Sequence, residues 1–413
     1  MASDAPIEHL HVRRHNLSLV LRLVASEGPC SRASIAGITG LTRATVSSLI
    51  AELIDRGLVL ELGLETDQRV GRPATLLELD GSKVVTLGVE LNVGYTAVLA
   101  NDLAGTTIYE RRRPLMTSSS SVDDLVPVLR DEIRRAIEAV EATGRTVAGI
   151  GVAVPGIIDV STGVVVFAPN LGWHNVPLLD RLVAQLGTRL PIIVDNEANM
   201  GAVAEHRVGV AAGADHLVYV LAANGVGSGV ILNGSLFRGA SGAAGEIGHT
   251  TVDPDGEMCS CGSLGCWETK VSLGALLAAA VPDLAAGLLD DRRLGPEAKV
   301  AMVVARARVD DPVALAGLHE FGRWVGIGLA NIVDSLNPEV IVLSGLLPEL
   351  APWTMDHIDE EMRSHSLTES VEACRVVLST LGFSAAALGC TLQASERLFL
   401  DPTLVPGQIR GTL

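Results

Sequence analysis

The chain has 413 residues, 48% of them apolar and 3% aromatic, with a formal net charge of −17. That length accommodates two or three domains with sizeable cores, and the acidic balance excludes a protein that coats nucleic acid over its whole surface. The longest apolar stretches are broken, residues 273–289 by Pro282 and Asp283 and residues 217–232 by Asn224 and several glycines, so no membrane span is expected.

The first fifteen residues carry His9, His11, Arg13, Arg14 and His15 with no apolar stretch behind a basic start, which argues against a secretory signal and predicts a cytoplasmic protein. Between His9 and Ser48 the arginines at 13, 14, 22, 32 and 43 face one acid, Glu27, a local positive excess compatible with DNA. Asn16 to Ser26 reads as a helix with Leu17, Val20, Leu21 and Val24 on one face. Ser31 is a suitable N-cap for a second helix carrying Ile35 and Ile38 and ending at Gly40. A third helix starts at Thr42, with Val46, Leu49, Ile50, Leu53 and Ile54 as its apolar stripe and Ala44, Thr45, Ser47 and Ser48 on the other side. Three short helices with a tight turn before the last match a helix-turn-helix, whose third helix enters the major groove.

Leu58 to Leu62 and Leu76 to Leu79 read as two strands of a hairpin with Gly71, Arg72 and Pro73 at its tip, giving a winged form. The candidate DNA contacts are Arg32, Thr42, Arg43, Ala44, Thr45, Ser47 and Ser48, with Arg72 placed to probe the minor groove. The alternative is a helical protein-interaction domain whose hydroxyl-rich face is simply solvated.

From Val84 the pattern becomes α/β. Apolar runs at 84–89, 96–100, 147–154, 191–194, 217–222 and 339–343 read as buried strands, separated by helical stretches such as 122–142. Two sheets with crossing helices are expected. Gly225, Gly227 and Gly229 in AANGVGSGV offer backbone amides to a phosphate, though glycine-rich turns are common without one.

Residues 242–268 hold three of the six cysteines within eight positions. His249, Cys259, Cys261 and Cys266 supply one imidazole and three thiolates, a standard tetrahedral set for Zn2+. The alternatives are a disulfide with a spare thiol, or buried cysteines clustered by chance. Cys30, Cys374 and Cys390 stand alone and read as core thiols.

GVAVPG at 151–156, APNLGW at 168–173, DNEAN at 195–199, GEIGH at 245–249 and CSCGSLGCWE at 259–268 together resemble the ROK family of repressors, open reading frames and sugar kinases. The resemblance runs from about residue 10 to about residue 400 and includes GIGLANIVDSLNPEVIVLSG at 326–345. It implies a winged helix-turn-helix (residues 1–80) followed by a two-lobed actin-like ATPase, ribonuclease H-like body. The first lobe would span 81–200 and the second 201–413, the last helix returning to the first lobe. A sugar cleft between the lobes would be lined by Asn170, Asn196, Glu197, Glu246, His249 and Glu268, with His249 ligating zinc through one ring nitrogen and meeting the sugar with the other. Carboxylates and amides suit sugars because each engages two hydroxyls.

Kinases of this family use an aspartate base in Asn-Asp-Ala-Asn, where this chain has Asn196-Glu197-Ala198-Asn199. Their Asp-x-Gly-Gly-Thr phosphate turn is here Glu90-Leu91-Asn92-Val93-Gly94-Tyr95, and the late Gly-Gly is reduced to Gly345-Leu346. Misplacing a reacting group by about 1 Å costs on the order of a hundredfold, and side chains in the turn forbid close backbone approach to phosphate. The resemblance therefore implies a sugar-responsive transcription factor of the xylose-repressor branch, with no catalytic residue and Glu197 at the degenerate base position. A homodimer or homotetramer would bind operator DNA. The alternative is an ATP-dependent, glucokinase-like sugar kinase carrying a DNA-binding domain; a scaffold binding neither sugar nor DNA is the third reading.

Overall fold

The computed structural model describes residues 5–64, 75–115 and 121–407. Helix α1 (Ala5–Glu27) begins well ahead of the predicted Asn16 and buries Leu17, Val20, Leu21 and Val24. A two-residue strand β1 (Cys30–Ser31) precedes α2 (Arg32–Thr39), which starts with the Ser31 hydroxyl accepting from Ser34 N at 3.1 Å and ends at Gly40 in the left-handed conformation. Ile35 is fully buried, but Ile38, expected beside it, is 60% exposed. Three residues turn a helix by about 300°, which leaves Ile38 some 60° off the narrow seam that this short helix buries. In α3 (Arg43–Asp55) Thr42 is the N-cap, accepting from Thr45 N at 3.1 Å, and Val46, Leu49, Ile50 and Leu53 are buried. Strands β2 (Val59–Leu64) and β3 (Thr75–Leu79) pair antiparallel, and β1 joins the free edge of β3. The expected wing tip, with Arg72, lies outside the described residues.

The first lobe is built from β4 (Val84–Asn92), β5 (Tyr95–Asp102), β6 (Thr107–Pro114), α4 (Val122–Glu141) and β7 (Thr146–Val154). A small meander of β8 (Ile157–Asp159), β9 (Val164–Ala168) and β10 (Trp173–Val176) follows, then α5 (Leu178–Leu186) and β11 (Ile192–Asn196). The main sheet has the order β11-β7-β4-β5-β6, with the β4–β5–β6 ladders antiparallel and the rest parallel. Strand β6 escaped the sequence pattern because it is an edge strand rich in arginine. Arg111 and Arg113 on it, with Arg135 of α4, converge on the buried Glu132.

Helix α6 (Glu197–Arg207) leads into the second lobe, whose sheet is formed by β12 (Leu217–Ala222), β13 (Val226–Leu232), β14 (Ser235–Leu236), β15 (Val340–Gly345) and β16 (Arg375–Leu378) in the order β14-β13-β12-β15-β16. Around it lie α7 (Glu268–Val271), α8 (Leu273–Ala280), α9 (Ala285–Asp290), α10 (Pro296–Ala307), α11 (Pro312–Leu336), α12 (Leu347–His365) and α13 (Thr368–Ala373). Two of the glycines of AANGVGSGV have a packing role. Gly227 and Gly229 lie in β13 and face α6, where a methyl on Gly229 would sit 2.5 Å from Ala198 O. Close helix approach explains the alternating glycines.

The last helix, α14 (Ala385–Leu400), crosses back onto the first lobe. The Thr86 hydroxyl of β4 donates to Thr391 O at 3.0 Å and lies 2.9 Å from Ser395 Oγ. Its C-terminal end docks the N-terminal domain. Leu398 and Val405 share one apolar cluster with Leu17, Leu21 and Leu53, Arg22 pairs with Glu396, and Arg14 meets Asp401 at 3.4 Å. Cys30 and Cys390 are buried thiols, and Cys374 packs beside the second-lobe core. Among the described residues no helix is long and apolar enough to cross a membrane.

Candidate functional site

Between the lobes lies a cavity of about 370 Å³ whose lining includes all six residues expected to meet a sugar: Asn170, Asn196, Glu197, Glu246, His249 and Glu268. They arrive from separate pieces of chain. Asn170 sits on a single 3-10 turn after β9, Asn196 and Glu197 at the junction of β11 and α6, and the other three on the loop and short helix after β14.

Asn196 does more structural work than its expected role. Its Oδ1 caps α6, accepting from Ala198 N at 2.8 Å and Asn199 N at 3.0 Å, while its Nδ2 donates to Gly156 O at 3.0 Å and to Glu197 Oε2 at 2.8 Å. With the amide committed to the fold, Asn196 acts on the cavity by orienting Glu197. Below it, Asp195 is buried and takes the Asn196 N–H at 2.8 Å and Arg238 Nη2 at 2.5 Å. Sequence reading missed Asp195, because a strand-end carboxylate beside a motif gives no sign of which way it points. Burial raises the Glu197 carboxyl well above the usual range, and the nearby charges of Glu90, Glu246 and Glu268 push the same way. A carboxyl held in this way can donate as well as accept a hydrogen bond.

Glu268 joins the cavity to the cysteine cluster. It is 8% exposed, its Oε2 accepts from Val226 N at 3.0 Å, and its Oε1 lies 3.7 Å from Cys259 Sγ. Gly225 makes room for it, since a methyl there would lie 2.2 Å from Glu268 Oε2 and 2.8 Å from Asn170 Nδ2.

His249, Cys259, Cys261 and Cys266 bring their donor atoms within 4.8 Å of one another. No disulfide forms: Cys261 Sγ and Cys266 Sγ stand 3.7 Å apart and all six cysteines are free. A zinc–sulfur bond of about 2.3 Å implies a tetrahedral edge of about 3.8 Å between thiolates, and of about 3.6 Å between a thiolate and an imidazole nitrogen. Observed separations are 3.7 Å for Cys261 to Cys266 and 3.6 Å for Cys259 Sγ to His249 Nδ1. The donor set fits a tetrahedral ion. With Nδ1 on the cluster side, His249 Nε2 is left 3.9 Å from Glu246 Oε2 at the cavity wall. The loop turns at Gly265, in the left-handed conformation, where a Cβ would lie 1.6 Å from Asp253 O. Trp267, buried next to Cys266, donates from Nε1 to Trp324 O at 2.7 Å and fixes the loop to α11.

The hairpin between β4 and β5 is closed by its own side chains. Glu90 is 1% exposed, and its Oε1 accepts from Asn92 Nδ2 at 2.8 Å and Tyr95 Oη at 2.6 Å. Burial raises its carboxyl above the ordinary value, opposed by those hydrogen bonds from Asn92 and Tyr95 and then by Arg112. Across the lobes, Asn224 Nδ2 donates to Val93 O at 2.5 Å, so the two hairpins touch. Leu346 is buried in the second-lobe core.

In the N-terminal domain Thr42, Arg43, Ala44, Ser47 and Ser48 are exposed on α3, while Thr45 is half-buried with its hydroxyl 2.8 Å from that of Thr42. Arg32 is not free: it pairs with Glu61 at 2.5 Å. Nor is most of the local positive excess, since Arg13 pairs with Glu52 at 2.5 Å and Arg14 and Arg22 with acids near the far end of the chain. Those partners are invisible to a local charge count. Among the described residues Arg43 has no ion pair.

A model of the ROK family matches residues 86–397. The xylose repressor of Bacillus subtilis is 32% identical over 390 residues, covering 94% of this chain and 97% of that protein. A solved ROK family transcriptional regulator, described as a homolog of the Escherichia coli MLC protein, superposes with a TM-score of 0.78 at 26% identity and covers 96% of this chain and 100% of its own. A ROK family glucokinase from Streptomyces griseus, solved with glucose and AMPPNP, is 31% identical with a TM-score of 0.63 but covers 76% of this chain and 99% of its own.

Proposed function

The chain belongs to the ROK family, and we propose that it is a cytoplasmic, sugar-responsive repressor in which a degenerate sugar-kinase body senses a carbohydrate and an N-terminal winged helix-turn-helix binds operator DNA. The observation that carries this reading is the extent of the likeness. The xylose repressor and the solved regulator align with this chain from end to end, whereas the glucokinase, matched over 99% of its own length, leaves about a quarter of this chain uncovered.

In this reading Glu197, Glu246, His249, Glu268 and Asn170 bind sugar hydroxyls, and Asn196 orients Glu197. Zn2+ on His249, Cys259, Cys261 and Cys266 would hold the loop that carries Glu246 and Glu268 in register, supplying structure and no chemistry. Thr42, Arg43, Ala44, Thr45, Ser47 and Ser48 form the DNA face of α3, with Arg32, once released from Glu61, and Arg72 at its margins. Two copies in a dimer, or four in a tetramer, would present paired helices to a palindromic operator. Xylose is the first sugar to test, on the strength of the relatives.

The kinase reading is disfavoured by the packed hairpins, where Asn224 bridges to Val93 and Glu90 is enclosed. A thermal-shift panel of sugars on the zinc-loaded protein, run beside a coupled ADP-release assay, tests the proposal. One or a few sugars should raise Tm without ADP formation, because a ligand that binds only the native state stabilises it. Sugar-dependent ADP release abolished by Glu197→Gln would establish the kinase instead.

A further inference from the structure

A groove of about 630 Å³ adjoins the sugar cavity along the second lobe, and the two share Asn170, Asn224 and Glu268. Asn170 Nδ2 and Glu268 Oε2 lie 2.8 and 2.2 Å from the place where a Gly225 methyl would sit, so a first-lobe amide and a second-lobe carboxylate stand side by side at the boundary of cavity and groove. Among the described residues the Asn170 side chain makes no hydrogen bond. Beyond this boundary the loop of the cysteine cluster adds two uncommitted polar groups to the groove wall. The exposed Glu257 carboxylate has no partner among the described residues, and the Ser260 hydroxyl has only a sulfur, Cys259 Sγ, at 3.9 Å. Elsewhere in the wall stands Trp324 of α11, with Lys270 Nζ 4.9 Å and Arg323 Cζ 4.3 Å from its ring centre.

A ligand that pairs with Asn170 and Glu268 sits at this boundary, and a group that it carries outward enters the groove. The inter-lobe cavity, at about 370 Å³, is near the small end of ligand pockets, which run from about 300 to 1,000 Å³; the groove supplies the space for a second ring. Its free groups suit hydroxyls, since a carboxylate accepts from two of them and a serine both donates and accepts. An apolar peptide fits less well, because it would strip water from the charges of Lys270 and Arg323 and offer nothing in return. We propose that the effector is a saccharide of at least two units, one held in the inter-lobe cavity and the next in the groove, where Glu257 and Ser260 take its hydroxyls. This rests on the sugar reading of the cavity and adds to it the size of the ligand.

The test is isothermal titration of the full-length, zinc-loaded protein with three matched pairs: xylose and xylobiose, glucose and cellobiose, N-acetylglucosamine and its β-1,4-linked dimer. At least one disaccharide should bind at least tenfold more tightly than its own monosaccharide. Ala278→Trp, which sets a large ring on an exposed residue of α8 in the groove wall, should remove that advantage and leave monosaccharide affinity within a factor of about two. Glu257→Ala, an exposed change that displaces no cluster donor, should cost the disaccharide about fivefold and the monosaccharide nothing, and this decides the matter if Ala278→Trp does not fold. A monosaccharide that binds as tightly as its dimer, or a disaccharide advantage that survives both substitutions, would overturn this proposal and leave the sugar reading of the cavity standing. Binding of none of the six would overturn both.

Discussion

Gly225→Ala isolates the polar contact on which the sugar cavity depends. Gly225 is not among the residues with positive φ, so alanine is compatible with the backbone and its effect is steric. The added methyl would lie 2.2 Å from Glu268 Oε2 and 2.8 Å from Asn170 Nδ2. Restoring ordinary contact requires the carboxylate to move by about 1 Å, which breaks its 3.0 Å hydrogen bond from Val226 N. Moved by that distance, the carboxylate also loses the hydrogen bond that it accepts from a sugar hydroxyl in the proposed site; a hydrogen bond to a charged group contributes about 1.5–3 kcal/mol, and each 1.4 kcal/mol is about tenfold in affinity. Gly225→Ala should therefore weaken binding of the effector sugar roughly ten- to hundredfold by isothermal titration. Zinc content should stay unchanged, because no cluster donor is displaced. Affinity within a factor of about two of the wild type would show that Glu268 does not meet the sugar, and a parallel loss of zinc would show that the variant acts through the loop instead.

Three further outcomes follow from the same geometry. Cys266→Ser should reduce bound zinc, measured by plasma emission, from one per chain to near zero and abolish the sugar-induced rise in Tm; a retained sugar response would show that the metal does not hold the cavity. Glu90→Gln should stabilise the protein increasingly as pH rises from 5 to 8. The Glu90 carboxyl is raised in the folded state, so its favourable contribution is complete below the ordinary value and is lost as pH climbs through the folded one; a Tm difference from wild type that does not grow with pH would contradict this. Arg22→Ala removes a pair whose partners are 40% and 23% exposed, so stability should change by less than about 1 kcal/mol. The effect of sugar on DNA affinity should nevertheless shrink, because Glu396 also lies 3.7 Å from Arg207 at the end of α6, the helix that begins at Glu197; an unchanged sugar effect would place the coupling elsewhere.

The parts of this protein that were legible in its sequence are those governed by local rules. Periodicity located α3 and its buried stripe, capping chemistry located Ser31 and Thr42, and unbroken apolar runs located β4, β5, β7, β12 and β15, since strands covered on both faces carry no polar alternation. The cavity residues were legible through motifs, and the cysteine spacing through ligand chemistry. What stayed hidden depends on distant partners. The arginines of β6 look like loop until Glu132 is placed beneath them, and the alternating glycines of β13 have no local reason until α6 is laid against them. That Asn196 caps α6 as well as lining the cavity is not visible until that helix is placed. The arginines of α1 look available to DNA until Glu396 and Asp401 arrive from the other end of the chain.

The central claim is that carbohydrate in the cleft sets the DNA affinity of the N-terminal domain. Fluorescence anisotropy of the zinc-loaded protein on a DNA site selected in vitro, titrated with the sugar that raises its Tm, measures this directly. The account predicts that saturating sugar weakens DNA binding at least tenfold in the wild-type protein, and that Gly225→Ala needs a correspondingly higher sugar concentration for the same release. DNA affinity that stays constant across saturating sugar would contradict it.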